Sequence, residues 1–196
     1  NKKQQLKLKK KIKIKGAHFL DAPVSGGTLA AESGKLAIMV GGTKKIFQKA
    51  KKLLESMGTV THVGKTGSGQ VAKLANQAIV GITIGAVSEA LILAEAAGAN
   101  PKAVRQAIKN GFAGSPILEI HGKRILEKKF KPGGKCSAQL KDMNNIVETA
   151  KALNISLPLS EKVKKLYKKL VEEGNSNLDH SALYLLIKKI KKNPAL

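Results

Sequence analysis

The sequence predicts a small α/β segment followed by an all-helical domain, the two joined by one long helix that begins near Ser68. Three observations predict it. Up to Gly64, short apolar runs of strand type alternate with a single helical pattern. From Gly69 onward helical periodicity alone governs the chain. The joining stretch, Gln70 to Ala97, carries only Lys73, Glu89 and Glu95 as charges, so apolar or small residues cover nearly every face. That is the pattern of a helix buried in a core or between domains. The division falls near residue 64, giving an α/β piece over 1–64 and a helical domain over 65–196 of ordinary domain size.

Taken in order, residues 1–15 hold eight lysines and read either as the end of an amphipathic helix or as a frayed tail. His18 to Asp21 reads as a short strand ended by Ala22-Pro23 and followed by Val24-Ser25-Gly26-Gly27. Lys35 to Val40 is a second strand closed by Gly41-Gly42. Ile46, Phe47, Ala50, Leu53, Leu54 and Met57 recur at helical spacing; Gly58 stops that helix, and Val60 to Val63 forms a third strand. Later helices read as 70–97, 101–109, 115–126, 137–153, 160–173 and 179–191. Asn100-Pro101, Ser115-Pro116 and Leu157-Pro158 mark helix starts or the turns before them, and 131–134 is a loop. No internal repeat is visible.

Composition narrows the function. The chain has 196 residues, 42% of them hydrophobic, enough for a real core. No run of eighteen apolar residues is present, so no membrane span is expected. The N-terminus is lysine-rich rather than of signal-peptide type, which makes a cytoplasmic address the default. Cys136 is the single cysteine, so no internal disulfide can form. The four histidines (18, 62, 121 and 180) show no ligand spacing, and no metal site is expected. A net charge of +23 raises nucleic-acid binding as a hypothesis. Against it, only Arg105 and Arg124 are arginines, aromatics make up 3%, and the lysines lie at the polar positions of amphipathic helices. A solvated face, steering an anionic ligand, explains the charge without specific nucleic-acid recognition.

Lys73 is the most informative residue. Asn76 and Gln77 follow it by three and four positions and share its helical face. A buried ammonium is costly unless paired or used, so this trio reads as a catalytic site, with a snorkelling lysine as the bland alternative. Ser25-Gly26-Gly27, at a strand end, offers backbone N–H groups and a hydroxyl to a small anion, or is a plain turn. Gly67-Ser68-Gly69-Gln70-Val71-Ala72 fits a loose dinucleotide fingerprint but lacks the second strand and acidic residue that should follow. The segment from Gly58 to Thr66 has one residue too many between its glycines for a P-loop. No nucleophile elbow or triad can be read.

Taken together, Phe19-Leu20-Asp21-Ala22-Pro23-Val24-Ser25-Gly26-Gly27, Met39-Val40-Gly41-Gly42, Gly64-x-x-Gly67-x-Gly69-x-x-x-Lys73-x-x-Asn76 and Lys141-Asp142 resemble the β-hydroxyacid dehydrogenase family. Order and spacing agree from about residue 16 to 190. Lys73 to Gln77, Gly111-Phe112-Ala113, Ile120-His121-Gly122 and Leu178 to Ala182 are most similar to its tartronate semialdehyde reductase branch. The resemblance implies the C-terminal part of a Rossmann-type domain, followed by a helical domain like the C-terminal one of 6-phosphogluconate dehydrogenase. It implies NAD or NADP as cofactor, reduction of a small semialdehyde acid (tartronate semialdehyde to glycerate), and a homo-oligomer. A 3-hydroxyisobutyrate dehydrogenase specificity, or a non-catalytic helical dimerisation module of the same descent, are the alternatives.

By that resemblance Lys73 is the catalytic acid/base, Ser25, Gly26 and Gly27 hold the substrate carboxylate, and Asn76 and Gln77 orient the substrate. Lys141 lies near the cofactor with Asp142 beside it. The family's glycine-rich strand–turn–helix and most cofactor contacts precede the residues seen here. Val24, Leu36, Ile38 and Val40 are therefore expected to present apolar area that earlier strands would cover.

Overall fold

A computed structural model describes residues 2–14 and 17–192. Asn1 and Lys15, the ends of the lysine-rich opening, lie outside the described residues. The chain forms two compact units, residues 1–76 and 77–196.

In the first unit, α1 (Lys2–Ile14) resolves the ambiguity of the opening in favour of a helix, with Leu8 and Ile14 left exposed. A three-stranded sheet follows, in the order β1 (Val24–Ser25), β2 (Leu36–Gly41), β3 (Gly58–Gly64). β1 runs antiparallel to β2, and β2 parallel to β3. The first strand lies later than the sequence suggests. Asp21 makes only an isolated bridge to Gly41, in the register that continues as Val24 opposite Ile38. Pro23, which has no N–H to donate, interrupts the ladder between them; its carbonyl still accepts from Met39 at 3.0 Å.

The turn after β1 is helical, which the sequence did not suggest. Gly26, at φ 132°, caps α2 (Gly27–Glu32), and a Cβ at Gly26 would stand 2.4 Å from that of Ala30. Between β2 and β3 lies α3 (Lys44–Glu55), completing a parallel β–α–β unit. Phe47 and Leu54 of α3 pack with Ile38, Val40, Leu36, Val60, Leu20 and Ala22. This corrects one expectation: Ile38 and Val40 are fully buried, because α3 covers the face on which they lie. Of the four residues named, Val24 alone is exposed.

Helix α4 (Ser68–Ala96) is 29 residues long. By length and composition alone it could cross a membrane, a test that a core helix passes equally. It also departs from the fully buried helix that its composition suggests. Ile84, Val87, Ser88, Leu91, Ile92 and Ala94 are buried, while Val71, Ala75, Ile79, Ala86, Ala90 and Leu93 form an exposed stripe. Apolar composition all round records what a helix can bury, and one chain covers only part of it.

The second unit continues with α5 (Pro101–Ile108), α6 (Pro116–Leu126), α7 (Cys136–Ala152), α8 (Pro158–Leu170) and α9 (Leu183–Lys192). The helix starts at prolines fall where the sequence placed them. Asn100 accepts from Lys102 and Ala103, and Ser115 from Leu118, so both side chains cap orphan N–H groups. Val87, Leu91, Leu118 and Ile125 form one core cluster, with Phe130 and Tyr184 against it.

Candidate functional site

In the first unit the site residues hang on the start of α4. Asp21 is buried, and its carboxylate accepts from the backbone N–H of Gly67 at 2.6 Å and of Gln70 at 3.1 Å. These are donors that the first turn of a helix leaves without intrahelical partners. Gly69 completes the junction: a Cβ there would stand 2.4 Å from the Met39 carbonyl oxygen and 2.7 Å from that of Asp21. The glycines of the loose dinucleotide fingerprint thus serve close backbone packing against this chain's own Asp21. The sequence reading missed Asp21 as a positioning group; a lone acidic residue at the end of an apolar run was its only signal.

Lys73 follows in the second turn of α4 and is half-buried, less enclosed than its apolar surroundings suggest. Asn76 is half-buried one turn further on. Ser25 pairs with Ala37 in the sheet, and Gly26 and Gly27, both exposed and both at positive φ, follow it at the entry to α2.

In the second unit Gln77 is gripped twice by α7. Its side-chain nitrogen donates to Asp142 Oδ2 at 2.7 Å, and its backbone carbonyl accepts from Gln139 Nε2 at 3.2 Å. Lys141 Nζ stands 3.7 Å from Asp142 Oδ1 with its side chain 71% exposed, a contact of little energetic weight. Structure therefore brings Gln77, Lys141 and Asp142 together.

A second polar cluster lies in the same unit, and sequence spacing gave no sign of it. Asp179 is fully buried. It pairs with Arg124, and it accepts from Ser181 Oγ at 2.6 Å, Ser181 N at 3.1 Å and Gly133 N at 2.9 Å. Burial alone would raise its pKa, but the nearby His121 and the donors from Ser181 and Gly133 outweigh burial and hold the carboxyl well below the usual range. His180 stands beside it, with Nε2 3.3 Å from His121 Nε2 and the two rings at 82°. Burial first, then the neighbouring His121, lowers the His180 pKa to about 4. Tyr167 donates to the His180 carbonyl at 2.9 Å, and Cys136 Sγ to that of Asp179 at 3.3 Å. Folding has thus brought together histidines whose sequence positions suggested no shared site. His121, Asp179 and His180 offer ligand atoms within 4.8 Å of one another.

A parallel β–α–β unit leading into a long helix, with a lysine and two amides on its first turns and a helical domain beyond, defines a class: the two-domain NAD(P)-dependent dehydrogenases. Comparison specifies it. Residues 1–64 match the NAD-binding domain of 6-phosphogluconate dehydrogenase, and residues 67–187 match the family described as NAD-binding of NADP-dependent 3-hydroxyisobutyrate dehydrogenase. The chain belongs to this 3-hydroxyisobutyrate dehydrogenase family of NAD(P)-dependent hydroxyacid dehydrogenases.

Among curated relatives it is 48% identical to 2-hydroxy-3-oxopropionate reductase of Escherichia coli, over 86% of this chain and 58% of that protein. It is 35% identical to mitochondrial 3-hydroxyisobutyrate dehydrogenase of Drosophila melanogaster, over 94% of this chain and 59% of the relative. The crystal structure of 3-hydroxyisobutyrate dehydrogenase from Salmonella typhimurium superposes with a TM-score of 0.87 at 25% identity, covering 95% of this chain and 66% of that one. The chain thus spans under two thirds of the length of these relatives.

Proposed function

We infer that this chain serves an NAD(P)-dependent reductase of small semialdehyde acids, with tartronate semialdehyde (2-hydroxy-3-oxopropionate) as substrate and glycerate as product. The observation that carries the reading is the 48% identity to 2-hydroxy-3-oxopropionate reductase over 169 residues, well above the identity to the Drosophila dehydrogenase. The division of labour follows the motifs. Ser25, Gly26 and Gly27 take the substrate carboxylate through a hydroxyl and backbone N–H groups. The reduced cofactor, NADH or NADPH, when bound would supply the hydride for the aldehyde carbon and leave oxidised. The oxygen gathers negative charge as the hydride arrives, and the Lys73 ammonium both stabilises it and gives up the proton that completes the alcohol. Asn76 and Gln77 hold the substrate's orientation. Lys141 lies toward the cofactor, and Asp142 bears on Gln77, to which it is hydrogen-bonded at 2.7 Å.

The domain division implied by this function places the nucleotide-binding segment at 1–64 and the substrate and dimerisation domain at 65–196. Self-association through α4 is part of the reading. Ile79 and Leu93, 66% and 70% exposed, head the apolar stripe that a second copy would cover. Replacing both by Asp should shift sedimentation to the monomer.

The decisive test uses the complete reading frame that contains this sequence. NAD(P)H oxidation with tartronate semialdehyde should exceed that with methylmalonate semialdehyde, and Lys73→Ala should cut turnover by roughly 10²–10⁴-fold while circular dichroism stays unchanged. Undiminished turnover in that variant would remove Lys73 from the chemistry.

A further inference from the structure

The core of the helical unit opens at one edge into a cavity that the hydride-transfer chemistry does not use. Leu91 of α4 and Ile125 of α6, each 2% exposed, form its floor, with Leu126 beside them. The cavity measures about 340 Å³, at the small end of the range for ligand pockets, about 300–1,000 Å³. Glu95, on its rim, stands well beyond Gln77 on α4, about 27 Å along the helix axis. Leu91 and Glu95 also lie on a different side of α4 from Ile79, Ala90 and Leu93, so covering the exposed stripe does not cover the cavity.

The rim is charged, and unevenly. Lys188 Nζ is held by Glu95 at 2.8 and 2.9 Å and by the Tyr184 hydroxyl at 3.1 Å, and it stands 5.5 Å from the centre of the Tyr184 ring. That wall is internally matched. Lys102 and Lys128 complete the rim. Among the described residues neither ammonium takes part in an ion pair or a hydrogen bond. Lys102 acts on Glu127 only at longer range, and that carboxylate is already paired with Lys129 at 3.1 Å. Asn100, also on the rim, has its side-chain oxygen occupied by the N–H groups of Lys102 and Ala103. An excess of positive charge thus borders an apolar floor.

Lys128 carries a second mark. It follows the C-cap of α6 at φ 53°, where its N–H reaches the Ile125 carbonyl at 3.1 Å and the Lys129 N–H reaches that of Arg124 at 2.9 Å. Glycine is the usual residue in this paired-bond helix ending, because a Cβ resists left-handed backbone. A lysine there places an ammonium on the rim in a conformation that its own backbone disfavours.

We propose that this cavity binds an amphipathic organic anion of the fatty-carboxylate class, with its alkyl chain on Leu91, Ile125 and Leu126 and its carboxylate between Lys102 and Lys128. Each part of such a ligand answers one part of the site. The alkyl carbons leave water for apolar surface, and the carboxylate only accepts hydrogen bonds where the two ammoniums only donate. A bare inorganic anion would leave the floor wet, and a neutral alcohol would leave the cations unmatched. The lysine excess also repels a metal cation.

The test uses the full chain, with octanoate, 1-octanol and inorganic phosphate as probes, and does not depend on reductase activity. Calorimetry should show octanoate binding once per chain, about tenfold or more tightly than either 1-octanol or phosphate. In methyl-labelled protein octanoate should move the Leu91, Ile125 and Leu126 resonances. Lys128→Gly eases the left-handed turn, so its melting temperature should equal or exceed the parent's. Its octanoate affinity should nevertheless fall roughly three- to fivefold, as expected for one exposed charge pair. Lys128→Arg keeps the charge and should retain binding, as should Lys162→Ala with Lys165→Ala on α8. No binding at millimolar octanoate, equally tight binding of phosphate or 1-octanol, unmoved methyls at those three residues, or unchanged affinity in Lys128→Gly would each overturn the proposal. The methyl spectra need no substitution, so they decide the question even where a variant fails to fold.

Discussion

Asp21 Oδ1 accepts the backbone N–H of Gly67 at 2.6 Å, across forty-six positions of sequence. The same carboxylate reaches Gln70 through its other oxygen, so one buried side chain fixes the start of the helix that carries Lys73. A carboxylate at a helix N-terminus also meets the positive end of the helix dipole. The position of the Lys73 ammonium in its own unit therefore depends on a residue more than fifty positions earlier in the sequence.

Asp21→Ala should destabilise the chain by about 3 kcal/mol, because it leaves two N–H groups without their acceptor in a buried junction. Asp21→Asn keeps one acceptor and should lose less. Gly69→Ala should also destabilise, since its Cβ would fall within 2.4 Å of the Met39 carbonyl. Urea denaturation ranks the three, and an Asp21→Ala midpoint equal to the parent's would show that the cap has no weight.

Gln77 and Asp142 should be energetically coupled. Their 2.7 Å hydrogen bond ends on a charged and partly buried group, so a double-mutant cycle with Gln77→Ala and Asp142→Ala should return about 1 kcal/mol of interaction. Lys141→Ala, by contrast, should change stability by less than roughly 0.5 kcal/mol because its side chain is mostly in solvent. Additive Gln77 and Asp142 effects would mean that the bond does not hold α4 to α7.

Acid should weaken the chain in two stages. His180 falls from 6.5 in the unfolded chain to about 4 when folded. Its folded pKa is the lower one, so the folded state binds this proton less readily. The stabilisation from the neutral ring is complete above pH 6.5 and is lost as pH falls toward 4, on the order of 3 kcal/mol in all. Asp179, held below its ordinary range, adds a further loss at pH values under its unfolded 3.8. Thermal melts across that interval read both stages, and a melting temperature flat from pH 7 to 4 would contradict the buried neutral imidazole.

Cys136 should be inert in the folded chain. Burial first, and the nearby Asp179 charge second, push its thiol up to about 12, and only the thiolate is nucleophilic. A disulfide-exchange reagent should modify it on the timescale of unfolding, reaching completion in denaturant. Rapid labelling without denaturant would require an open route to the thiol.

Elements whose signal is local were legible in advance. β2, β3, α3 and α4 each appear within a few residues of where periodicity places them, as do the helices that begin at Pro101, Pro116 and Pro158. Helix α2 escaped notice because six residues behind two glycines carry too little periodic pattern. The first strand was placed at 18–21 by its apolar run, whereas pairing with β2 places it at Val24–Ser25. Among candidate site residues, Lys73, Asn76 and Gln77 stood out through the polarity of one face in an apolar helix. Asp21, Gln139 and the pair His121 and His180 did not, since their partners lie 46, 62 and 59 positions away.

What the amino-acid order determined by itself is the succession of strands and helices, the polar trio on α4 and the motif set of the dehydrogenase family. These depend on side-chain spacing over one or two turns, where the backbone geometry is known beforehand. Only the tertiary structure decided that the glycines near Gly67 approach an aspartate, that α3 shelters Ile38 and Val40, and that the rings of His121 and His180 meet at 3.3 Å. A buried polar atom takes its partner from whatever the fold brings within about 3 Å, and which atoms those are is settled by packing between segments far apart along the chain.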